Sequence, residues 1–421
     1  MPLKQHDRQY DVVVFGATGY TGKFTAQHIA THLPTDLKWA VAGRSREKLE
    51  EMVAQCNEWN PDRRQPEIEI CNLDDEDLAK LAKKTFILIT TVGPYGRLGE
   101  YAFKACAENG THYLDVTGEV PFVARMIAKY EASAKASGAR LFPQIGIESA
   151  PSDLVTWTLA SLIRREFSAN TRDVVVSLHT LRGAPSGGTL STALTLLENF
   201  SLSEVRAAHR PFALSPVPNP HPASPSPATS FLTRLSGLVT IPPLGLLTSS
   251  IAAKTDAAIV ERTWGLLAQH DKAQAYGPNF AFKQYMRARG VLAGIGVHLG
   301  LFVFGLVLVT PFLRRLVARR VYQPGEGATA EEYKRDEIEY RAVGRPDVAG
   351  GGDGRQAFCR AWFKGGNYYF TGVLLAEAAA TLLQEDIKLP GGIYTPACLG
   401  QPFIDRLEKA GFHFETSIIP A

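Results

Sequence analysis

The chain has 421 residues, with 45% hydrophobic and 21% charged residues, which is an ordinary globular balance for two or three domains of about 150 residues each. Lys+Arg 45 against Asp+Glu 42 leaves a formal charge of +3, too little to point to a nucleic-acid partner. The five cysteines (Cys56, Cys71, Cys106, Cys359 and Cys398) are scattered and form no C-x-x-C pair, which argues against disulfides and a zinc site and fits a reducing compartment.

The first eight residues are polar and lack the apolar run of a signal peptide. Val12-Val13-Val14-Phe15 then reads as a buried strand, followed by Gly16-Ala17-Thr18-Gly19-Tyr20-Thr21-Gly22 and an amphipathic helix from Lys23 to Ala30. Glycines at G-x-x-G-x-x-G spacing between a strand and a helix form a pyrophosphate cradle. The helix N-terminus favours an anion, and glycine lets the backbone approach phosphate closely. Lys38 to Ala42 reads as the second strand, and Gly43-Arg44-Ser45 as its exit, where a Rossmann fold meets the adenosine ribose. No acid stands there to accept from a 2′-hydroxyl. Arg44 instead matches a 2′-phosphate, so NADP(H) is the expected cofactor, with Ser45 beside it.

Glu67 to Asp74 alternates as a third strand, with Asp74 placed either near the adenine or as the N-cap of the next helix. Phe86 to Val92 is a largely apolar fourth strand, and its exit, Gly93-Pro94-Tyr95-Gly96-Arg97, lies on the ligand-binding edge; Thr91, Val92, Gly93 and Tyr95 are cofactor-binding candidates there, with Tyr95 either near the nicotinamide ribose or a half-buried turn residue. Tyr101 to Asn109 is a helix closed by Gly110. His112 to Glu119 is strand five, with Asp115 and Glu119 at its carboxyl end facing substrate or capping the helix after Pro121. Arg140 to Gly146 is strand six, leading through Glu148 to Ser152 or Asp153 as the cap of a helix from Val155 to Arg165.

Beyond this point the pattern changes. Asp173 to Thr180 opens a second sheet, Gly183 to Thr189 is a turn, Leu190 to Phe200 a helix, and residues 211–230 a Pro/Ser/Ala-rich linker. Gly290 through Leu313 contains no Asp, Glu, Lys or Arg, and is bounded by Arg287 and Arg289 on one side and Arg314, Arg315, Arg319 and Arg320 on the other. Its length suits a membrane span or a monotopic anchor, a dimer-interface helix, or a core helix. The remainder reads as a loop from Gln323 to Glu331, a strand from Ala357 to Phe363, a helix from Thr371 to Gln384, a turn at Pro390 to Pro396 and a final short helix and strand. The expected fold is α/β: a doubly wound parallel Rossmann sheet in residues 1–155, then a second α+β domain in 156–421 carrying the apolar segment 290–313.

The order of GATGYTG (Gly16–Gly22), AGR (Ala42–Arg44), TVGPY (Thr91–Tyr95), YLDVTGE (Tyr113–Glu119), GIESAPSDL (Gly146–Leu154), the Gly-Gly-Thr turn at Gly187, PGEG (Pro324–Gly327) and GGIYTPA (Gly391–Ala397) resembles the saccharopine dehydrogenase-like oxidoreductases. Within that family the chain is most similar to membrane- or lipid-droplet-associated members and to trans-acting enoyl reductases. The family more often has Phe-Asp where Ile147-Glu148 stands.

The resemblance implies NADPH-dependent hydride transfer to an apolar small-molecule or carrier-bound substrate, such as a lipid or polyketide enoyl group. A homodimer is also expected, on the cytoplasmic side and in association with a membrane or lipid-droplet surface. Tyr95, Glu119 and Asp153 are the candidates for substrate contact or proton donation, and no Tyr-x-x-x-Lys pair of short-chain dehydrogenases is present. The alternatives are a saccharopine-like amino-acid dehydrogenase and a non-catalytic NADPH-binding membrane protein.

Overall fold

The computed structural model describes residues 2–183, 194–219, 231–318, 336–348 and 354–421. The Gly187 turn, the PGEG motif, the loop from Gln323 to Glu331, residues 220–230 of the expected linker, and Arg319 and Arg320 lie outside the described residues.

Six strands of the first sheet alternate with helices. These strands are β1 (Tyr10–Phe15), β2 (Trp39–Gly43), β3 (Glu67–Ile70), β4 (Thr85–Thr90), β5 (His112–Asp115) and β6 (Arg140–Phe142). Between them run α1 (Tyr20–His32), α2 (Arg46–Trp59), α3 (Asp75–Lys84), α4 (Tyr95–Leu98), α5 (Glu100–Asn109) and α6 (Val120–Ser137). All pairings are parallel, and the spatial order places β1 between β2 and β4. The order therefore reverses at the β1/β4 gap, which is where a doubly wound sheet opens its ligand crevice. Every residue of β1 is buried, because helices cover both faces of the sheet. Gly110 ends α5 in the left-handed conformation at φ 70°, as a C′ glycine does.

A seventh strand comes from far along the chain. Gly392–Ile393, the thirteenth strand in chain order, pairs in parallel with β6. The first unit is therefore not closed by a single cut near residue 155. Such a cut falls inside α7 (Ala150–Phe167), which begins five residues before the expected Val155. Ser152 and Asp153 accordingly lie inside the first turn and cap nothing. Ser149 holds the N-cap position, and Pro151 takes an early position where its missing N–H is harmless.

The second sheet has the order β14-β12-β11-β7-β10-β9-β8. Its strands are β7 (Asn170–Arg182), β8 (Val239–Ile241), β9 (Gly245–Thr248), β10 (Ala281–Arg287), β11 (Glu337–Asp347), β12 (Arg355–Lys364) and β14 (His413–Pro420). Strand β7 is its axis, parallel to β10 and antiparallel to β11. Val174 and Val176 of β7, Leu159 and Ile163 of α7, and Val373 and Leu374 of the helix Asn367–Gln384 belong to one continuous core with Val12 and Val14 of β1. The two sheets thus share their interior.

The helix Asn367–Gln384 also fixes α1 from outside. A Cβ on Gly372 would stand 2.7 Å from the Phe24 carbonyl carbon, so only glycine allows this approach. Nearby, His28 Nε2 lies 2.8 Å from Glu377 Oε1.

Candidate active site

The glycine turn sits at the carboxyl end of β1, in the crevice. Gly16 has φ +86°, which a side chain would strain, and its carbonyl is the hub of the turn. That oxygen accepts from Gly19 N at 2.9 Å and from Thr91 Oγ1 at 3.1 Å, which ties the turn to the β4 exit. The three glycines serve different ends. A Cβ on Gly16 would stand 2.8 Å from Val92 Cγ2, and one on Gly22 would stand 2.2 Å from Gly16 O. A Cβ on Gly19 would meet only Gly16 O, at 3.2 Å, and otherwise open space. Two glycines therefore let the protein pack on itself, and the third leaves a gap on the ligand side.

The first intrahelical bond of α1 is Lys23 N to Gly19 O at 2.9 Å, and the first turn holds no acidic residue. The N–H groups of Tyr20, Thr21 and Gly22 lie ahead of that bond, where an anion is favoured. This cradle fits a dinucleotide pyrophosphate. Ala17 is buried beneath it, and Tyr20 makes an edge contact with Tyr368 at 5.0 Å between ring centroids, bringing the second unit to its rim.

Arg44 follows β2 directly and is exposed, its guanidinium open to a ligand on that rim. Ser45 is the N-cap of α2, accepting from Lys48 N at 3.5 Å. Asp74 is the N-cap of α3, with Oδ1 accepting from Asp77 N at 2.9 Å. Of the two readings open for Asp74, capping is the one its geometry displays.

The three candidate acids have inward partners. Tyr95 is buried, its hydroxyl donating to Thr90 O at 3.0 Å and accepting from Val116 N at 3.4 Å. Burial raises its hydroxyl well above the usual phenol range. Glu119 precedes α6 but does not cap it. Its carboxylate crosses to the β4 exit and accepts from Tyr95 N at 2.7 Å and Gly96 N at 3.0 Å. Burial pushes it up to about 7, against those two bonds. Glu119 therefore pins the turn that forms one wall of the crevice. Asp115 accepts from Tyr113 OH at 2.7 Å and from Thr117 N and Gln144 N, both at 2.9 Å, and burial pushes it up to about 6.

Asp153 lies on the α7 side with the helix Ala253–His270. It accepts from Thr263 Oγ1 at 2.6 Å and Ala397 N at 2.9 Å, and burial pushes it up to about 7. Tyr95, Glu119 and Asp115 are thus gathered at the β4 and β5 exits, whereas Asp153 belongs to a separate buried joint. Ser152 extends that joint, donating to Asp256 Oδ2 at 2.5 Å.

Periodicity did not reveal the residues that cover the β4 exit from the second unit. A Cβ on Gly96 would stand 2.5 Å from Phe200 Cε2, so Phe200 lies directly on this turn. Arg125 stacks over the Phe200 ring at 4.5 Å and pairs with Glu204 at 3.0 Å. The apolar Leu194–Phe200 stretch carried no sign of what it would pack on.

These carboxyls give the molecule a testable pH signature. Asp115, Glu119 and Asp153 bind protons more tightly when folded than an unfolded carboxylate does, so the native state keeps protons that the unfolded chain has released. Their stabilising contribution is complete below about pH 4 and is lost as pH rises through about 6–7. For Asp153 the effect is on the order of 2–4 kcal/mol. Asp153→Asn keeps the shape, with its carbonyl toward Ala397 N and its amide toward Thr263 Oγ1. It is expected to flatten the decline in unfolding free energy between pH 5 and 8 relative to wild type. Identical pH profiles for the two proteins in urea titrations would refute the buried, proton-retaining carboxyl.

Comparison with known proteins agrees with this geometry. Residues 12–141 match the family model of the saccharopine dehydrogenase NADP-binding domain. The chain is 30% identical over 434 residues to a trans-acting enoyl reductase of Mycobacterium tuberculosis, covering 96% of this chain and 97% of that one. It is 28% identical over 448 residues to a human saccharopine dehydrogenase-like oxidoreductase, covering 98% of each. Among solved structures, the L-Glu-forming saccharopine dehydrogenase of Saccharomyces cerevisiae superposes with a TM-score of 0.57 at 12% identity. That match covers 97% of this chain and 99% of that one, a likeness of fold.

Proposed function

The chain belongs to the saccharopine dehydrogenase-like oxidoreductase family, and from that premise we propose that it is an NADPH-dependent reductase of a conjugated carbon–carbon double bond in an apolar acyl substrate. The oxidoreductase class and the NADP cofactor follow from the family. The substrate is the proposed part.

The observation that carries it is the end-to-end match, through both units, to an enoyl reductase at 30% identity. When bound, the cofactor would supply a hydride to the β-carbon, and a proton drawn from solvent at the α-carbon completes the saturated product. The residues of this chain hold and shape. The Gly16–Gly22 turn with the α1 N-terminus binds the pyrophosphate, and Arg44 binds the 2′-phosphate. The β4 exit, locked by Glu119, forms the wall beside the reacting carbon. Val92, half-buried at the β4 exit, supplies apolar surface next to that wall, and the buried Phe200 packs against Gly96 and backs the turn. Tyr95 and Asp153 act as positioning residues, since their polar atoms are committed to Thr90, Thr263 and Ala397.

The experiment is NADPH oxidation by the purified protein against a panel of medium- and long-chain trans-2-enoyl thioesters, with saccharopine and 2-oxo acid/amine pairs alongside. Turnover of the enoyl thioesters that rises with chain length is expected. NADPH binding with turnover only of the amino-acid substrates would overturn the reading.

A further inference from the structure

A cavity of about 220 Å³ opens between the helix Ala253–His270, strand β10 and the chain that leaves the helix Leu202–Ala208. No residue of the glycine turn, the β2 exit or the β4 exit lines it. Ala258 in its wall and Ala208 beside it belong to the core that holds Tyr95 and Phe200, so the cavity lies behind the crevice wall. Phe282, Lys283, Gln284 and Tyr285 all line it. Successive side chains of a strand point to opposite faces, so four in a row reach one cavity only along the backbone edge. That edge is open. Strand β7 takes one flank of β10 from Ala281 to Met286, whereas β9 on the other flank pairs only with Met286 and Arg287. Gln284 shares the inward face with Phe282, which lies in the main core. Gln284 is 4% exposed, and neither its amide oxygen nor its amide nitrogen has a hydrogen-bond partner. Burying an amide unpaired is costly, and such a group in a cavity wall calls for a reason.

The charge around the cavity is positive. His209, Arg210 and Lys254 line it, and Arg210 and Lys254 have no ion-pair partner among the described residues. Burial, and the charge of Lys254 nearby, hold the His209 imidazole below its usual range. The helix Ala253–His270 starts at the cavity with Ala253 and Lys254, and its N-cap, Ala252, has no side chain that could accept from the N–H groups of the first turn. The acid of that turn, Asp256, accepts from Ser152 in the separate joint, and burial raises it well above the usual carboxylate range. One carboxyl does line the cavity. Glu261 accepts from Phe212 N at 2.6 Å, and burial pushes it up to about 7, so it carries only part of a charge at neutral pH. The remaining wall, with Pro211, Ala257 and Phe282, is apolar.

We propose that this cavity is a second ligand site, separate from the nucleotide crevice, for a small amphipathic anion: a carboxylate or phosphate head on a short apolar body. Arg210, Lys254 and the helix N-terminus supply the charge. Gln284 and the open edge of β10 supply directed hydrogen bonds. Pro211, Ala257 and Phe282 cover the apolar body. The volume sets the size of the ligand. Pockets for drug-sized molecules and cofactors run to about 300–1,000 Å³, so this one takes a molecule smaller than a nucleotide. The site binds its ligand without transforming it, and the proposal does not depend on the enoyl reading.

The test is calorimetric titration of the full-length chain, saturated with NADPH, with octanoate and with hexyl phosphate, and with 1-octanol as the neutral counterpart. At least one anion is expected to bind at a single site, about tenfold or more tighter than octanol, and the tighter of the two identifies the head group. The double variant Arg210→Glu/Lys254→Glu reverses two exposed charges and is expected to lose at least about tenfold of that affinity, with NADPH binding unchanged. Gln284→Leu removes the unpaired amide. It is expected to raise the melting temperature and still weaken the anion severalfold, a pair of effects that a merely structural glutamine does not give. Absence of binding by both anions, or octanol binding as tightly as they do, would overturn the proposal. Anion binding undiminished in the double variant would do so too, by placing the ligand in the acyl crevice. None of these results bears on enoyl turnover, which is measured separately.

Discussion

Gly22→Ala is expected to abolish NADPH binding and to destabilise the protein by about 1–3 kcal/mol or more, whereas Gly19→Ala should abolish binding at little cost in stability. The difference lies in what each new methyl would meet. At Gly22 it would stand 2.2 Å from Gly16 O, 2.8 Å from Thr91 Oγ1 and 2.9 Å from Ala17 Cα. Two of these are backbone atoms that cannot rotate away. The third is the hydroxyl that ties Gly16 O to the β4 exit at 3.1 Å. Relieving the clash must therefore pull the turn off β4 or unwind the start of α1, and either shift dismantles the anion cradle.

At Gly19 the backbone is extended, at φ −79° and ψ 166°, a conformation alanine adopts freely. Its only close neighbour would be Gly16 O at 3.2 Å. The methyl would project into the gap through which a phosphate approaches the α1 N–H groups. Denaturant melts and NADPH titration of the two variants separate the roles. If Gly19→Ala bound NADPH as tightly as wild type, the turn would not be the pyrophosphate site.

The sequence made this turn legible because its logic is local: an apolar strand, three glycines and a helix lie within about twenty residues. The same holds for β2 and β4, whose side chains are largely buried on both faces and read as apolar runs. Locality fails in the second unit. The helix Ala253–His270 buries Asp256, Glu261 and Arg262 on its packed faces, so its apolar period is broken by charge. Arg262 is paired there with backbone carbonyls of Leu214 and Ile393, both remote in sequence. Strand Gly392–Ile393 is two residues long, too short for any period, and looks like a turn until β6 pairs with it.

The candidate acids were legible as residues at strand exits, but their partners were not. Tyr95 spends its hydroxyl on a carbonyl five residues back, and Glu119 reaches across to another helix. Backbone partners leave no trace in side-chain spacing. The apolar segment shows the opposite imbalance. Its composition stood out at once, but its ties to Glu198 and Thr248, far away in the chain, did not.

Arg44→Ala is expected to weaken NADPH binding by about 10–100-fold and to leave NADH binding unchanged. Charge-assisted hydrogen bonds to a phosphate are worth about 1.5–3 kcal/mol, and each 1.4 kcal/mol is tenfold. The effect should be confined to the cofactor's 2′ position. Arg44 is exposed at the β2 exit, and its removal should leave the fold intact, since Ser45 caps α2 through its own hydroxyl. Arg44→Lys keeps the charge but loses the planar fork, and should recover only part of the affinity. Raising ionic strength should weaken NADPH binding to wild type more than to Arg44→Ala, because the lost term is the screened, charged one. Equal affinities for NADPH and NADH in wild type, or an Arg44→Ala protein that still prefers NADPH, would move the 2′-phosphate away from the β2 exit. A titration of both nucleotides against both proteins, followed by fluorescence, decides this.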